Sequence, residues 1–364
     1  MVKVLHLGQM VGGLDIYVRN SIVYMSDEFD FIVVRSDKDQ TGAVLKNNHK
    51  VKDYTIKMYR QLNPLNDCIA LIQAIRIIMK ERPDVIHCHS AKGGFIGRWA
   101  GFLTGVRTLY TPHAFSFLCT ESGWKKRVFI WLERMARLNS YLLACSESEQ
   151  KLGIDVVHYR KERALVWHNA VPDAAQLVPK SGTIRPYLCY VGRPSYQKNT
   201  FFLLDVMKEV HQIYPDVKLF LLGVGYYSPD SEMMKQKISE YGLENTIEIF
   251  SWLSHEKTLE YMRDSLFYLT VSRYEGLPIS VIETMALGKA IVASDVVGNK
   301  DCVQNSVNGY LLPLYVKVFA EKICLLISDS KRRDEMGEKS RALFESLFYI
   351  DNRIKVLEEI YKNK

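Results

Sequence analysis

Between Leu266 and Ser294 the chain passes through an apolar run of strand length, Leu266-Phe-Tyr-Leu-Thr-Val271, a short loop, a segment of helical length, and a second apolar run, Ala290-Ile-Val-Ala-Ser294. Two buried strands joined through a helix constrain the chain to an open, mostly parallel α/β sheet covered on both faces. Pro278 suits a first helical turn, where its missing N–H is not needed, and Gly288 stands where a left-handed C-terminal cap would go. The spacing therefore predicts a helix from about Pro278 to Leu287, with Ile279, Ile282, Met285 and Ala286 on one apolar stripe.

Within this unit Glu275 falls in the loop at the carboxyl end of the first strand. Glu283 lies about five residues into the helix, roughly 7.5 Å along its axis. Two carboxylates thus flank one helix N-terminus, whose unpaired N–H groups and positive dipole end suit a phosphate. Carboxylates accept hydrogen bonds from hydroxyls, so the implied ligand carries phosphate in its middle and hydroxyls at both ends. A nucleotide diphosphate sugar has that layout. The competing reading of two Glu eight apart is a solvated acidic face.

The same alternation fills both halves of the chain. Its 364 residues, 48% hydrophobic and 24% charged, suffice for two domains with two cores. No apolar run reaches the ~18 residues of a spanning helix, and Met1-Val-Lys-Val-Leu-His-Leu7 enters a strand without a signal-peptide pattern. The expected location is cytoplasmic, with the inner face of the membrane open as a place of contact. Seven cysteines without Cys-x-x-Cys spacing read as reduced core residues. The net charge of +7 favours acidic partners without choosing among phosphates, anionic lipid and nucleic acid. No RNA-binding signature supports nucleic acid.

In the first half, strand Val2–Leu7 runs into Gly8-Gln-Met-Val-Gly12-Gly13, a glycine loop whose spacing is not the dinucleotide G-x-G-x-x-G. After the next strand, at Phe29 to Arg35, Asp37-Lys38-Asp39 has an Asp-x-Asp form that could hold a divalent metal. Arg35 and Lys38 beside it, and its distance in sequence from Glu275, favour a solvated loop instead. His87 and His89 lie on one face of a strand that ends at Ser90. No third metal ligand is apparent in the sequence nearby, which favours packing and hydrogen bonding. His113 follows the strand Val106–Tyr110, at a carboxyl end where open α/β sheets bind ligands; a structural His is the alternative. Trp124 to Leu138 mixes aromatics and cations at helical spacing. It reads either as a surface helix with its apolar face on the core or as a basic, aromatic face resting on an anionic membrane.

Pro, Gly and Ser then concentrate between Val178 and Pro186, marking a linker. The second half restarts with strand Tyr187–Val191 and the loop Gly192-Arg193-Pro-Ser-Tyr-Gln197-Lys198-Asn199, which sets two cations before a helix N-terminus. Further strands are read at 217–222 and 247–250, and a closing helix at 346–364.

The Glu275-to-Glu283 stretch resembles the E-x7-E element of retaining glycosyltransferases of the GT-B fold. These belong to the large family 4, or group 1, that includes phosphatidylinositol mannosyltransferase, sucrose synthase and many bacterial polysaccharide glycosyltransferases. The resemblance extends over nearly the whole chain. It implies two Rossmann-like domains facing across a cleft: an acceptor domain at 1–180, a nucleotide-sugar donor domain at 181–345, and a helix at 346–364 that crosses back. It implies transfer of a sugar from a nucleotide diphosphate sugar, a UDP-sugar, to a hydroxyl of a saccharide acceptor, lipid-linked in surface polysaccharide assembly.

Residue by residue, the resemblance puts Arg193 and Lys198 on the pyrophosphate, Glu275 on the transferred sugar and Glu283 on the ribose. Gly13, Leu253, Gly276, Leu277 and Ile279 complete the donor side, with Gly12, His89 and Ser90 on the acceptor side. His113 would meet the reacting face of the sugar, making His113 and Glu275 the catalytic candidates. No metal and no cofactor are implied. A nucleotide-sugar epimerase or hydrolase of the same fold, and a non-catalytic basic membrane-binding module, remain as alternatives.

Overall fold

The computed structural model describes residues 1–59, 61, 63–178, 184–225 and 228–363. By packing the chain forms two units, Met1–Ala170 with Ile350–Lys364, and Val171–Tyr349.

The first unit is built on a parallel sheet of seven strands: β1 (Val2–Leu7), β2 (Phe29–Ser36), β3 (Lys52–Ile56), β4 (Val85–His89), β5 (Arg107–Thr111), β6 (Tyr141–Ala144) and β7 (Ala164–Val166). Their spatial order is 3-2-1-4-5-6-7, with every neighbouring pair parallel. β1, β2 and β4 are near-continuous apolar runs because helices cover both faces of the sheet. Leu5, Leu7, Ile32, Val34, Ile86 and Cys88 pack to one side, and Val4, Phe31, Val33 and Val85 to the other.

The second unit repeats the plan with β8 (Tyr187–Val191), β9 (Lys218–Leu222), β10 (Ile247–Phe250), β11 (Tyr268–Thr270), β12 (Ile291–Ser294) and β13 (Gly309–Leu312). The order is 10-9-8-11-12-13, again all parallel. In both sheets the order reverses beside the first strand, so β1/β4 and β8/β11 are the switch points where such folds bind ligands beyond the strands' carboxyl ends.

Two strands and a hairpin among the described residues escape the sequence patterns. β3 is a half-exposed edge strand, Lys-Asp-Tyr-Thr-Ile, whose charges suit an edge and hide it from apolar periodicity. A small hairpin, Leu45–Lys46 with His49–Lys50, turns on Asn47 and Asn48, both at positive φ. β13 is the other strand. Of the cysteines, Cys88, Cys145, Cys189 and Cys302 are buried and Cys324 is half-buried. Cys68 and Cys119 are exposed, so they are not core residues.

Packing divides the chain at Ala170/Val171, ahead of the Pro-, Gly- and Ser-rich stretch, of which residues 179–183 lie outside the described residues. Val171 N–H donates to Phe348 O at 3.0 Å, and the Asp173 carboxylate grips Arg341 at 2.5 and 2.7 Å. These contacts, which composition does not show, decide which unit a segment joins. The closing helix, Ile350–Lys362, packs in the first unit. There Ile350, Ile354, Leu357 and Tyr361 are buried, and Trp167 Nε1–H donates to Arg353 O at 3.0 Å.

Candidate active site

The second unit's switch point gathers charge. The 193–199 loop leaves β8, and the 271–278 loop leaves β11, its neighbour in the sheet. Arg273 N–H donates to Gln197 O at 2.8 Å, which holds the loops together. Glu275 is buried there, with both carboxylate oxygens hydrogen-bonded. Its Oε1 accepts from Lys198 Nζ and Ser272 Oγ, both at 2.7 Å, and Oε2 accepts from Gln197 Nε2 at 3.3 Å. Its own N–H donates to Val297 O at 3.2 Å. Gly298 backs the loop at φ +85°, where a Cβ would come within 2.6 Å of Gly276 O, so this close approach requires glycine.

The helix that follows spans Ile279–Ala286, with Pro278 as its N-cap residue and not its first helical position. No side-chain cap bonds its first N–H groups, and its carboxyl end is closed by Gly288 at φ +65°. Arg341 donates to Ala286 O at 2.7 Å, placing a cation at the negative end of the dipole. Glu283 is buried on this helix, and its Oε1 meets His255 Nε2 at 2.6 Å. That hydrogen bond raises the His255 pKa above its ordinary value against the opposing effect of burial. Sequence reasoning missed His255, because its helix, His255–Asp264, carries no pattern pointing to Glu283. Leu253 stands half-buried just before it, and Arg193 half-buried after β8.

The first unit's switch point is made of imidazoles. His6 on β1 lies in register with His87 on β4, and the next inward residue of β4 is His89. His6 Nδ1 and His89 Nε2 are 3.0 Å apart, and His89 Nδ1 and His113 Nε2 are 3.2 Å apart. His87 meets Tyr361 OH at 2.7 Å and Thr111 Oγ1 at 2.8 Å. Burial lowers the pKa of all four, His6 and His113 to about 3, so the cluster is neutral at ordinary pH. His6 is the third imidazole that the sequence reading found lacking beside His87 and His89. Nitrogens of the three lie within 4.8 Å of one another.

His113 and Ala114 are both at positive φ, +50° and +85°, a backbone strain of the kind that collects at functional sites. The Glu149 carboxylate holds the turn, accepting from Ala114 N–H at 2.7 Å and Cys145 N–H at 2.9 Å. Ser90, at φ +57°, opens the helix Ser90–Thr104. Gly12, at φ +61° and ψ −133°, is the N-cap residue of Gly13–Tyr24, a backbone conformation open to glycine. Asp37 and Asp39 are held by different partners: Tyr59 OH donates to Asp37 at 3.0 Å, while Asp39 accepts from Met10 N–H at 2.7 Å.

Comparison with known proteins gives the family. The model of "Glycosyltransferase Family 4" matches residues 11–175, and that of "Glycosyl transferases group 1" matches 178–343, so the two cover both units in turn. The chain is a family 4 glycosyltransferase of the GT-B fold. This glycosyltransferase is 24% identical to UDP-Gal:alpha-D-GlcNAc-diphosphoundecaprenol alpha-1,3-galactosyltransferase of Escherichia coli, over 91% of each chain. It is also 24% identical to the capsular polysaccharide biosynthesis glycosyltransferase CapM of Staphylococcus aureus, over 94% of each. Among solved structures it resembles HepE of Anabaena in complex with UDP and glucose, with a TM-score of 0.82, 18% identity and full coverage of both chains.

Proposed function

We propose that this glycosyltransferase moves a sugar, with retention of anomeric configuration, from a UDP-sugar to a hydroxyl of a lipid-linked saccharide during surface polysaccharide assembly. The observation that carries the donor is the pairing of Lys198 with Glu275 beside the uncapped Ile279–Ala286 helix, at the switch point of the second sheet. Arg193, Lys198 and that N-terminus suit a pyrophosphate. Glu283 suits a ribose, and Gly13, Leu253, Gly276, Leu277 and Ile279 complete the donor side. The acceptor class draws on the undecaprenol-linked and capsular substrates in the relatives' names.

Breaking the donor's glycosidic bond puts negative charge on the departing phosphate and positive charge on the sugar ring. Arg193, Lys198 and the helix N–H groups are preorganised donors for the first, and the Glu275 carboxylate faces the second. With Ser272, Lys198 and Gln197 all bonded to it, Glu275 acts as an electrostatic partner and holder of sugar hydroxyls. His113 is assigned to the reacting edge of the sugar, with Gly12, His89 and Ser90 on the acceptor side.

The helix Gly123–Met135 supports membrane contact. Phe129 and Ile130 pack on the core, yet Trp124, Val128, Trp131 and Met135 form a second, exposed stripe, with the two tryptophans 68% and 60% exposed. Lys125, Lys126 and Arg127 lie exposed beside it. Each cation near an anionic surface contributes about 1 kcal/mol, which gives a weak, salt-sensitive attachment. No helix among the described residues is long and apolar enough to cross a membrane.

Incubation with a panel of nucleotide sugars tests the activity. The expected result is nucleotide diphosphate release only when a lipid-linked saccharide is added. Release without acceptor would mean an epimerase or hydrolase, and no release with any donor would mean a binding module. Flotation with anionic vesicles should show binding that high salt, or Lys125, Lys126 and Arg127 changed to Ser, abolishes.

A further inference from the structure

We propose that His6 and His89 are positioning residues: a one-way chain of hydrogen bonds, His6 to His89 to His113, fixes His113 as the Nδ1–H tautomer. This rests on the reading above, in which His113 meets the sugar, and it specifies which ring nitrogen offers a proton there.

The geometry of the first link is that of an in-plane imidazole hydrogen bond. The His6 and His89 rings are within 8° of parallel with centroids 5.3 Å apart, so at an N···N distance of 3.0 Å they lie end to end and not face to face. The second link has centroids 5.4 Å apart and a 33° tilt. A neutral imidazole has one N–H and one bare nitrogen. His89 uses both nitrogens, so one donates, the other accepts, and the chain has a single direction.

The end of the chain decides which. His6 Nε2 is buried without a hydrogen-bond partner. Were the chain to run from His113 inward, His6 Nδ1 would accept and its proton would sit on Nε2, an orphaned N–H in the core. Run outward, it leaves a bare nitrogen there, and orphaned buried N–H groups are the rarer defect. Outward, His6 Nδ1–H donates to His89 Nε2, and His89 Nδ1–H donates to His113 Nε2. The His113 proton is then on Nδ1, while the Tyr17 ring, edge-on at 4.8 Å, and the strained 113–114 turn hold the imidazole in place.

His87 supplies an internal reference of opposite tautomer. Thr111 Oγ1 donates to Leu143 O at 2.7 Å, so it accepts from His87 Nε2–H, and His87 Nδ1 accepts from Tyr361 OH. The competing use of these rings is a cation held by His6, His87 and His89. It is disfavoured because both nitrogens of His87 and His89 are already bonded and no carboxylate belongs to the group to offset the buried charge.

Long-range 1H–15N correlation spectra of protein labelled at histidine read the tautomers directly. The expected spectrum shows His6, His89 and His113 as Nδ1–H and His87 as Nε2–H. Finding His113 as Nε2–H would overturn the inference, as would rings shifted by stoichiometric Zn2+. In turnover, His89→Leu should lower kcat about 10-fold or more with little change in donor KM, as loss of an orienting partner does. His89→Asn, whose amide N–H can stand in for Nδ1–H, should restore much of it together with the His113 signature. Equal losses in both variants, with His113 still Nδ1–H, would reduce His89 to packing. His113→Ala tests the underlying reading separately: undiminished turnover there would remove the sugar-facing role and leave the tautomer spectrum as it stands.

Discussion

The two units share a sheet order and differ in what they place at the switch point. The second concentrates formal charge: Lys198 against Glu275, and Glu283 held by His255, on carboxylates that are themselves buried. The first places four imidazoles, a threonine and two tyrosines together, all neutral and most joined by hydrogen bonds. Charges in a buried site are worth holding only where the ligand brings charge of its own, as a pyrophosphate does. Neutral donors and acceptors in fixed orientation suit hydroxyl groups. One scaffold thus supports two chemistries through the loops and strand ends alone.

The largest effect that could break this contrast is at Lys198. Lys198→Ala removes the cation proposed to meet the phosphate and leaves Glu275 buried with Ser272 and Gln197. Turnover should fall about 100- to 1000-fold, the scale of losing one preorganised donor to developing charge. A melting curve near wild type would show that the loss is chemical. Turnover within a few-fold of wild type would mean that the charge pair is scaffolding.

Next come Glu283→Gln and Arg193→Ala, each expected to weaken donor binding or turnover by about tenfold or more, since a charged hydrogen bond contributes about 1.5–3 kcal/mol. Donor titration calorimetry checks it. Near-normal affinity in both variants would remove the donor site from this helix.

Much of this was legible beforehand, for reasons that also mark where legibility ends. Apolar runs alternating with helical stripes gave the interior strands β1 and β8 their observed limits, because strands covered on both faces are largely apolar. The charged edge strand β3 has no such requirement and left no trace. Glu275, Lys198 and Glu283 were visible as a motif, yet neither the Lys198–Glu275 pair nor the His255 partner was. Periodicity tells which way a side chain points but not which distant chain segment lies there. His6 is the sharpest case. It reads as a polar residue in a mostly apolar strand, and only the β1/β4 adjacency turns it into the root of a three-imidazole chain.

Thr111→Val should sharpen the contrast from the other side. It removes the acceptor for His87 Nε2–H and the donor to Leu143 O, both buried, and leaves no unpaired charge. The expected cost is about 1–3 kcal/mol of stability in urea unfolding, with donor affinity in the second unit unchanged. Thr111→Ser keeps the hydroxyl and should recover most of it. If donor affinity falls as far as stability does, the two switch points are not separable in function.

The smallest expected effect is the alkaline slope of stability with pH. His255 is the one imidazole in either cluster whose pKa is raised, and the cause is its 2.6 Å hydrogen bond to Glu283. A group whose folded pKa exceeds its ordinary 6.5 contributes stability that is full below that value and is lost as pH rises through the folded pKa. The His255 side chain is 46% exposed, so solvent screens the pair and the contribution is small. The first unit's imidazoles have the opposite sign, neutral in the fold and charged only when it opens below about pH 6.5, so they lower stability on the acid side. Melting temperature measured from about pH 5 to pH 9 should therefore decline toward both ends. In His255→Gln the alkaline decline should flatten while the acid limb stays. In His6→Phe the acid limb should soften while the alkaline one stays. A single variant that flattens both limbs would show that the two limbs do not divide between the two switch points.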